Sequence, residues 1–114
     1  IYPVYDFTTY PGVARAASAY GLTPTSLLTK AGDLNPISKA NVLAKAKIPV
    51  FIIHGKDDKV VPLKQNSAEL QKKYCEAGAA DLIEVMEVAG QGHNFWPGFF
   101  QCQELVDFVI ANAK

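Results

Sequence analysis

The most constraining feature of the sequence is an apolar run at residues 48–53, "IPVFII", which meets His54 and Gly55 directly. Apolar residues without polar alternation are typical of a strand that is covered on both faces, as in a parallel sheet. Parallel neighbours need a long crossover connection, which is usually a helix. The run therefore predicts a fold in which strands and helices alternate.

The chain that follows this run fits such an alternation. Pro62 can open a helix and Gly78 can close it, and residues 82–88 read as a second strand. A last helix carries apolar residues at helical spacing on one face, at Cys102, Leu105, Val106, Val109, Ile110 and Ala113. The order strand, helix, strand, helix predicts the α/β class with right-handed crossovers.

The chain that precedes the run contains a shorter apolar stretch and a longer mixed segment. Residues 1–4 are β-branched and aromatic, and we predict a third parallel strand there. Residues 6–47 predict small helices and loops inserted between strands, resembling a cap. A helix over residues 13–20 and a second one capped by Thr23 with Pro24 at its first position are expected.

Composition excludes several classes of function. The 114 residues include 11 basic and 11 acidic side chains, so no basic excess is available to track nucleic acid. No apolar run approaches the roughly 20 residues of a membrane span. Cys75 and Cys102 have no metal-ligand spacing and predict free buried thiols, although a disulfide stays open. The compartment cannot be read from these features.

Two loops at predicted strand ends carry titratable side chains. "HGKDDKVVP" follows the first long strand, and "GQGHNFW" follows the second. Since ligands collect at the carboxyl ends of parallel strands, we expect Asp58 and His93 to face each other. A carboxylate fixes the tautomer of an imidazole and stabilises its protonated form. Gly90 and Gly92 are expected to allow a positive-φ turn that directs His93 towards the edge.

The pattern H-G-x-x-D-x-x-V-P, followed by a strand and G-x-G-H, resembles the C-terminal half of the α/β-hydrolase fold. It is most similar to the branch of the dienelactone hydrolases and the prolyl oligopeptidase catalytic domains. The resemblance is strongest from residue 48 onwards and implies that Asp58 is the acid of a catalytic triad and His93 its base. Asp57 is the rival acid, and His54 is expected to be structural.

The sequence departs from this pattern because the nucleophile is missing. None of the four serines, Ser18, Ser26, Ser38 and Ser67, lies in a G-x-S-x-G motif. We therefore expect residues 1–114 to be the C-terminal part of one hydrolase domain, with residues 48–114 as its core. The N-terminal half of the fold is then the expected partner. The chain alone is expected to be inactive, and poorly stable or self-associating through an exposed sheet edge.

The resemblance implies hydrolysis of a carboxylic ester by a Ser-His-Asp triad on a small-molecule substrate. A peptidase of the prolyl oligopeptidase type and a non-catalytic binding module are the alternatives. Phe95 and Trp96 are candidates for an apolar substrate wall, with packing of the last helix as the simpler interpretation. Tyr5 is a candidate substrate contact at the mouth of the cleft. No cofactor is implied, and the glycine-rich loops predict no metal site.

Overall fold

The computed structural model describes residues 1–114, and its elements alternate between helix and strand after a helical first third. The helices are α1 (Val13–Ala19), α2 (Pro24–Thr29), α3 (Ala31–Leu34), α4 (Ala40–Lys45), α5 (Ser67–Glu76) and α6 (Gln103–Asn112), and the strands are β1 (Val50–Gly55) and β2 (Ile83–Val88). Short 3₁₀ turns lie at Pro36–Lys39, Ala80–Leu82 and Pro97–Phe99.

The sheet consists of β1 and β2, which pair in parallel from Val50 opposite Ile83 to Gly55 opposite Val88. The two predicted strands at residues 48–53 and 82–88 are thus confirmed, with starts displaced by one or two residues. Because the crossover between them contains α5, the mixture of helix and parallel sheet is compatible with an α/β fold.

The predicted strand at residues 1–4 is wrong. One backbone hydrogen bond joins this segment to the sheet, from the N–H of Tyr2 to the carbonyl of Ile53 at 2.7 Å. Two local features prevent a ladder. Pro3 has no N–H to donate, and Tyr2 takes a φ of 30°, which is not extended backbone. The segment lies beside β1 without becoming a third strand.

Helices cover both faces of the sheet. Ile52 points to one face, where it packs into a core with α4 and α5, and the neighbouring Ile53 points to the other face, against Phe99 and Cys102. This alternation follows from the two-residue repeat of a strand. The larger core contains Ile37, Ala40, Ala44, Ile52, Leu70, Tyr74, Ala79 and Ile83.

The helices α1 to α3 have a separate small core of Phe7, Ala16, Ala17 and Leu27. The N-terminal cap of α2 is as predicted, because the Thr23 hydroxyl accepts from the N–H of Ser26 at 3.1 Å. A short α3 spans Ala31–Leu34, and the helical path ends at Asn35.

One buried asparagine, Asn66, attaches the start of this helical segment to the rest of the molecule. The Asn66 carbonyl oxygen accepts from the N–H groups of Tyr5 and Asp6 at 2.8 and 2.9 Å. Its amide nitrogen donates to the Thr9 hydroxyl and to the Pro62 carbonyl, both at 3.0 Å. Every polar atom of this fully buried side chain is therefore paired, as a stable interior requires.

The last two helices differ from expectation in two respects. Helix α5 begins at Ser67, because a turn in which the N–H groups of Asn66 and Ala68 bond to the Leu63 carbonyl comes first. On α6, the predicted apolar face is only partly used. Leu105 packs on the core beside Phe99, whereas Val106, Val109 and Ile110 are exposed.

Both cysteines are free, with Cys102 buried as predicted and Cys75 exposed, contrary to the prediction. The longest helices have ten residues. None of the helices has the length and hydropathy needed to cross a bilayer.

Candidate active site

The site is built from two loops at the carboxyl edge of the sheet. We call residues 56–66 the acid loop and residues 89–102 the base loop. They are joined through backbone, since the N–H of Lys56 donates to the Val88 carbonyl and the N–H of Asp57 to the Gln91 carbonyl, both at 2.9 Å. The parallel pairing of β1 and β2 thus continues beyond the strands and brings the two loops together.

Gly55 makes this close approach possible. A Cβ atom at this position would overlap the carbonyl groups of Gln91 and Gly92, which are backbone atoms and cannot easily move aside. Only glycine leaves room for the base loop to cross directly over the end of β1. The glycine of the His-Gly pair therefore sets the distance between the two loops.

Asp58 is held by the turn that follows it. Its Oδ1 accepts from the N–H groups of Val60 and Val61 at 2.9 and 2.8 Å. The carboxyl group is buried, and burial alone would raise its pKa. These backbone donors and the His93 imidazole outweigh burial, so the pKa of Asp58 lies below its ordinary value and the group is a carboxylate at neutral pH.

His93 meets the other oxygen of the same carboxylate. Its Nδ1 lies 2.9 Å from Oδ2 of Asp58, and a carboxylate can only accept, so Nδ1 carries the proton. Nε2 makes no hydrogen bond within the chain, and the side chain is 31% exposed. The ring therefore presents a free lone pair to the outside, as a general base requires.

The glycines beside His93 act in different ways. Gly90 has a φ of 72°, as the predicted positive-φ turn requires. The same expectation for Gly92 is wrong, because its φ is not positive. A Cβ there would lie 3.3 Å from the Asp57 carbonyl oxygen, so Gly92 permits close contact between the loops instead.

The rival acid points elsewhere. Asp57 is exposed and makes no side-chain hydrogen bond or ion pair in the chain. Its contribution to the site is its backbone N–H, which joins the acid loop to the base loop. The structure thus brings Asp58, and not Asp57, against His93.

The three candidate substrate residues have different surroundings. Phe95 is 87% exposed and stacks on Phe100 with ring centroids 6.3 Å apart. Trp96 is partly exposed and packs edge-on against the buried Phe99 at 5.4 Å. Tyr5 is partly buried and packs on the larger core. Its pKa is raised, first by desolvation and then by the neighbouring Tyr74.

Tyr2 is a site residue that the sequence analysis missed. Its ring centroid lies 4.3 Å from that of His93 and 5.4 Å from that of Phe99. The contact packs one side of the imidazole. No local sequence pattern predicts the contact between Tyr2 and His93, because the contact depends on how residues 1–4 lie beside β1 without joining the sheet.

A second Ser-His-Asp constellation exists, but it is closed to solvent. Nδ1 of His54 lies 2.6 Å from the Ser67 hydroxyl, and Nε2 lies 3.4 Å from Asp58. His54 and Ser67 are both 0% exposed, so no substrate can reach this serine. The other three serines are not hydrogen-bonded to His93. The Ser26 hydroxyl accepts from the Thr23 hydroxyl at 2.9 Å, and the Ser38 hydroxyl donates to the Ala31 carbonyl at 3.1 Å. The acid–base pair therefore has no nucleophile among these residues.

The surroundings of the pair are open. None of the four surface depressions of the chain includes Asp58 or His93. Trp96 lines one of them, together with residues of β2 and the start of α6. The imidazole thus lies at an open surface.

The structure thus places a buried carboxylate, hydrogen-bonded to an exposed imidazole, on two loops at the carboxyl edge of a parallel sheet. The sequence model of the secretory lipase family matches residues 5–98, about four fifths of the chain, and the chain belongs to that family. The match includes Asp58, His93 and the whole of both strands. It does not single out the dienelactone hydrolase or prolyl oligopeptidase branch. No curated protein and no solved structure matches the chain.

Proposed function

We propose that this chain supplies the acid and the base of a serine esterase that cleaves lipid esters. The observation that carries the proposal is the 2.9 Å hydrogen bond between the buried Asp58 carboxylate and Nδ1 of the partly exposed His93. Membership of a lipase family supports an ester as the substrate. The complete fold in this proposal is that of an α/β-hydrolase.

The chemistry follows from the two ring nitrogens. Nε2 of His93 takes the proton from a serine hydroxyl as its oxygen attacks the ester carbonyl carbon, and later delivers that proton to the departing alkoxide. Asp58 holds Nδ1–H and stabilises the imidazolium in between. Water then repeats the sequence on the acyl-enzyme, releasing the carboxylic acid and the free serine.

The serine lies, in this proposal, outside the 114 residues, in an N-terminal segment that also supplies the oxyanion hole. The four serines of the chain support this, since none of them is paired with His93. The chain alone should consequently be inactive. Its open site and the exposed apolar residues of α6 suit a surface that this segment covers, with self-association through the same surface when the segment is absent.

Phe95 and Trp96 are proposed to form the wall against which an acyl chain lies, because they follow His93 closely and are partly or fully exposed. Tyr5 is proposed only as an outer contact, since its ring packs on the core. A peptidase would use the same pair, and ester and anilide substrates distinguish the two. A non-catalytic module would use the exposed surfaces alone.

The test compares two adjacent aspartates in the complete protein. Asp58→Asn should lower kcat for a p-nitrophenyl ester by about four orders of magnitude, as loss of the orienting acid does in other triads. Asp57→Asn is the matched control and should stay within about twofold. A fluorophosphonate probe should label the complete protein and leave the 114-residue chain unlabelled. Loss of activity in Asp57→Asn alone, or absence of labelling, would overturn the proposal.

A further inference from the structure

His54 is buried beside the acid–base pair and is not used by the proposed chemistry. It lies near the end of β1 and is 0% exposed. Both of its ring nitrogens are engaged: Nδ1 lies 2.6 Å from the Ser67 hydroxyl, and Nε2 lies 2.9 Å from the Val61 carbonyl oxygen. A buried polar side chain with two short contacts is fixed in one orientation.

The contacts define the tautomer of His54. A carbonyl oxygen can only accept, so Nε2 carries a proton and donates it to Val61. In the neutral ring, Nδ1 then has the lone pair and accepts from the Ser67 hydroxyl. Desolvation lowers the pKa of His54, against the opposing effects of the Val61 carbonyl and of Asp58, and favours this neutral form.

Val61 connects this imidazole to the acid. Its carbonyl accepts from His54, while its N–H donates to Oδ1 of Asp58 at 2.8 Å. Nε2 of His54 also lies 3.4 Å from Oδ2, the oxygen that His93 approaches to 2.9 Å. Two imidazoles thus flank one carboxylate oxygen, and the shorter contact belongs to His93 because the His54 proton points to Val61.

We propose that His54, locked by Ser67, is a positioning residue that holds the Asp58–Val61 turn so that Oδ2 of Asp58 faces His93. Its catalytic consequence rests on the proposed function, whereas its structural consequence does not. Removing the Nε2–H donor frees the Val61 carbonyl, lets the turn shift, and weakens the hydrogen bond from His93 to Asp58.

The experiment uses NMR of the complete protein with ¹⁵N-labelled histidine, in which the signals of His54 and His93 are assigned by substituting each of the two residues. His54 should show the Nε2–H tautomer, and His93 a strongly downfield Nδ1–H proton from its bond to the carboxylate. His54→Leu, which removes the donor, should abolish the downfield signal. His54→Gln, whose amide can donate to Val61 in its place, should retain it.

Ser67→Ala provides a smaller change in case the leucine variant does not fold. It removes one contact of His54, and the His93 Nδ1–H proton should then exchange with solvent at least about fivefold faster. Ser38→Ala, at an exposed serine in the Pro36–Lys39 turn, is the control and should leave the exchange rate unchanged. An Nδ1–H tautomer at His54, or a His93 signal unaffected by Ser67→Ala, would overturn the inference.

Activity provides a separate readout in the complete protein. His54→Leu should lower kcat at least about tenfold with little change in KM, and His54→Gln should restore most of it. If the proposed function is wrong, no variant will hydrolyse esters, yet the NMR result will still decide whether His54 positions Asp58. Unchanged kcat in His54→Leu, with activity present, would contradict the inference.

Discussion

The two loops that form the site are built in opposite ways. The acid loop is fixed from inside, because Asp58, Val61 and Asn66 are buried and each takes part in hydrogen bonds. The base loop is largely at the surface. His93 is held by one hydrogen bond and by contact with Tyr2, and Phe95 is 87% exposed.

This difference suits the tasks that the two loops have in the proposed reaction. The acid must keep its charge and its direction throughout a reaction, which a buried, fully hydrogen-bonded carboxylate does. The base must reach both a nucleophile and a leaving group, so its outer nitrogen has to stay free. In the proposed reaction, the acid loop therefore holds the orientation of His93, and the base loop carries the imidazole that transfers the proton.

The largest expected effect comes from the point where the loops cross. Gly55→Ala should destabilise the chain by at least about 3 kcal/mol, because the new methyl group overlaps the Gln91 carbonyl and forces the loops apart. Urea unfolding, followed by the fluorescence of the single tryptophan, measures it. Gly32→Ala, with no atom within 4 Å of the added group, is the control and should be neutral or stabilising by under about 1 kcal/mol. Equal stability of the two variants would disprove the close approach of the base loop to Gly55.

Two asparagines, one in each loop, test whether the acid loop contributes more to stability than the base loop. Asn66→Ala should cost about 2 kcal/mol, because it leaves the N–H groups of Tyr5 and Asp6 without their acceptor. Asn94→Ala in the base loop removes only an exposed contact with Gln91 and should cost less than about 0.5 kcal/mol. The same urea titration compares them. A larger loss for Asn94→Ala would mean that the base loop, and not the acid loop, carries the stability.

The sequence sufficed for those parts of the site that depend on local pattern. The unbroken apolar run before His54 predicts β1, and the strand order then brings Asp58 and His93 to one edge. Parts that depend on distant packing could not be predicted. The segment at residues 1–4 has strand-like composition, but Pro3 and the positive φ of Tyr2 keep it outside the ladder.

The burial of the faces of the helices could not be predicted either. The apolar spacing of α6 predicts a buried face, yet Val109 and Ile110 remain exposed, because spacing defines a face without saying what covers it. Likewise, His54 and Ser67 are 13 positions apart, and nothing in the sequence indicates that α5 brings the hydroxyl onto the imidazole.

A smaller effect concerns pH and the same buried imidazole. The pKa of His54 is lowered in the folded chain, so the unfolded state binds its proton first as the pH falls. The free energy of unfolding should therefore decrease below about pH 6.5, the ordinary histidine value. Asp58 and Asp6, whose pKa values are also lowered, should add a further loss below about pH 4.

His54→Gln isolates the first part of this pH dependence. The variant keeps a donor for Val61 but has no group that titrates, so its stability should be flatter between pH 7 and pH 5 than that of the original chain. The loss near pH 4 should remain in both. If the free energy of unfolding changed equally in the two proteins between pH 7 and pH 5, protonation of His54 would have no effect on stability.

The smallest effect on stability belongs to the outer end of the base loop. Phe95→Ala should change the free energy of unfolding by less than about 0.5 kcal/mol, since the ring is mostly in solvent and stacks on the exposed Phe100. If the ring is the proposed acyl wall, KM for a long-chain ester should rise about fivefold in the complete protein, while a short-chain ester is unaffected. Val42→Ala, which also removes exposed apolar surface but lies on α4, should change neither value. The comparison of chain lengths separates a binding surface from mere exposure, because a residue that only packs on Phe100 would alter both esters equally or neither.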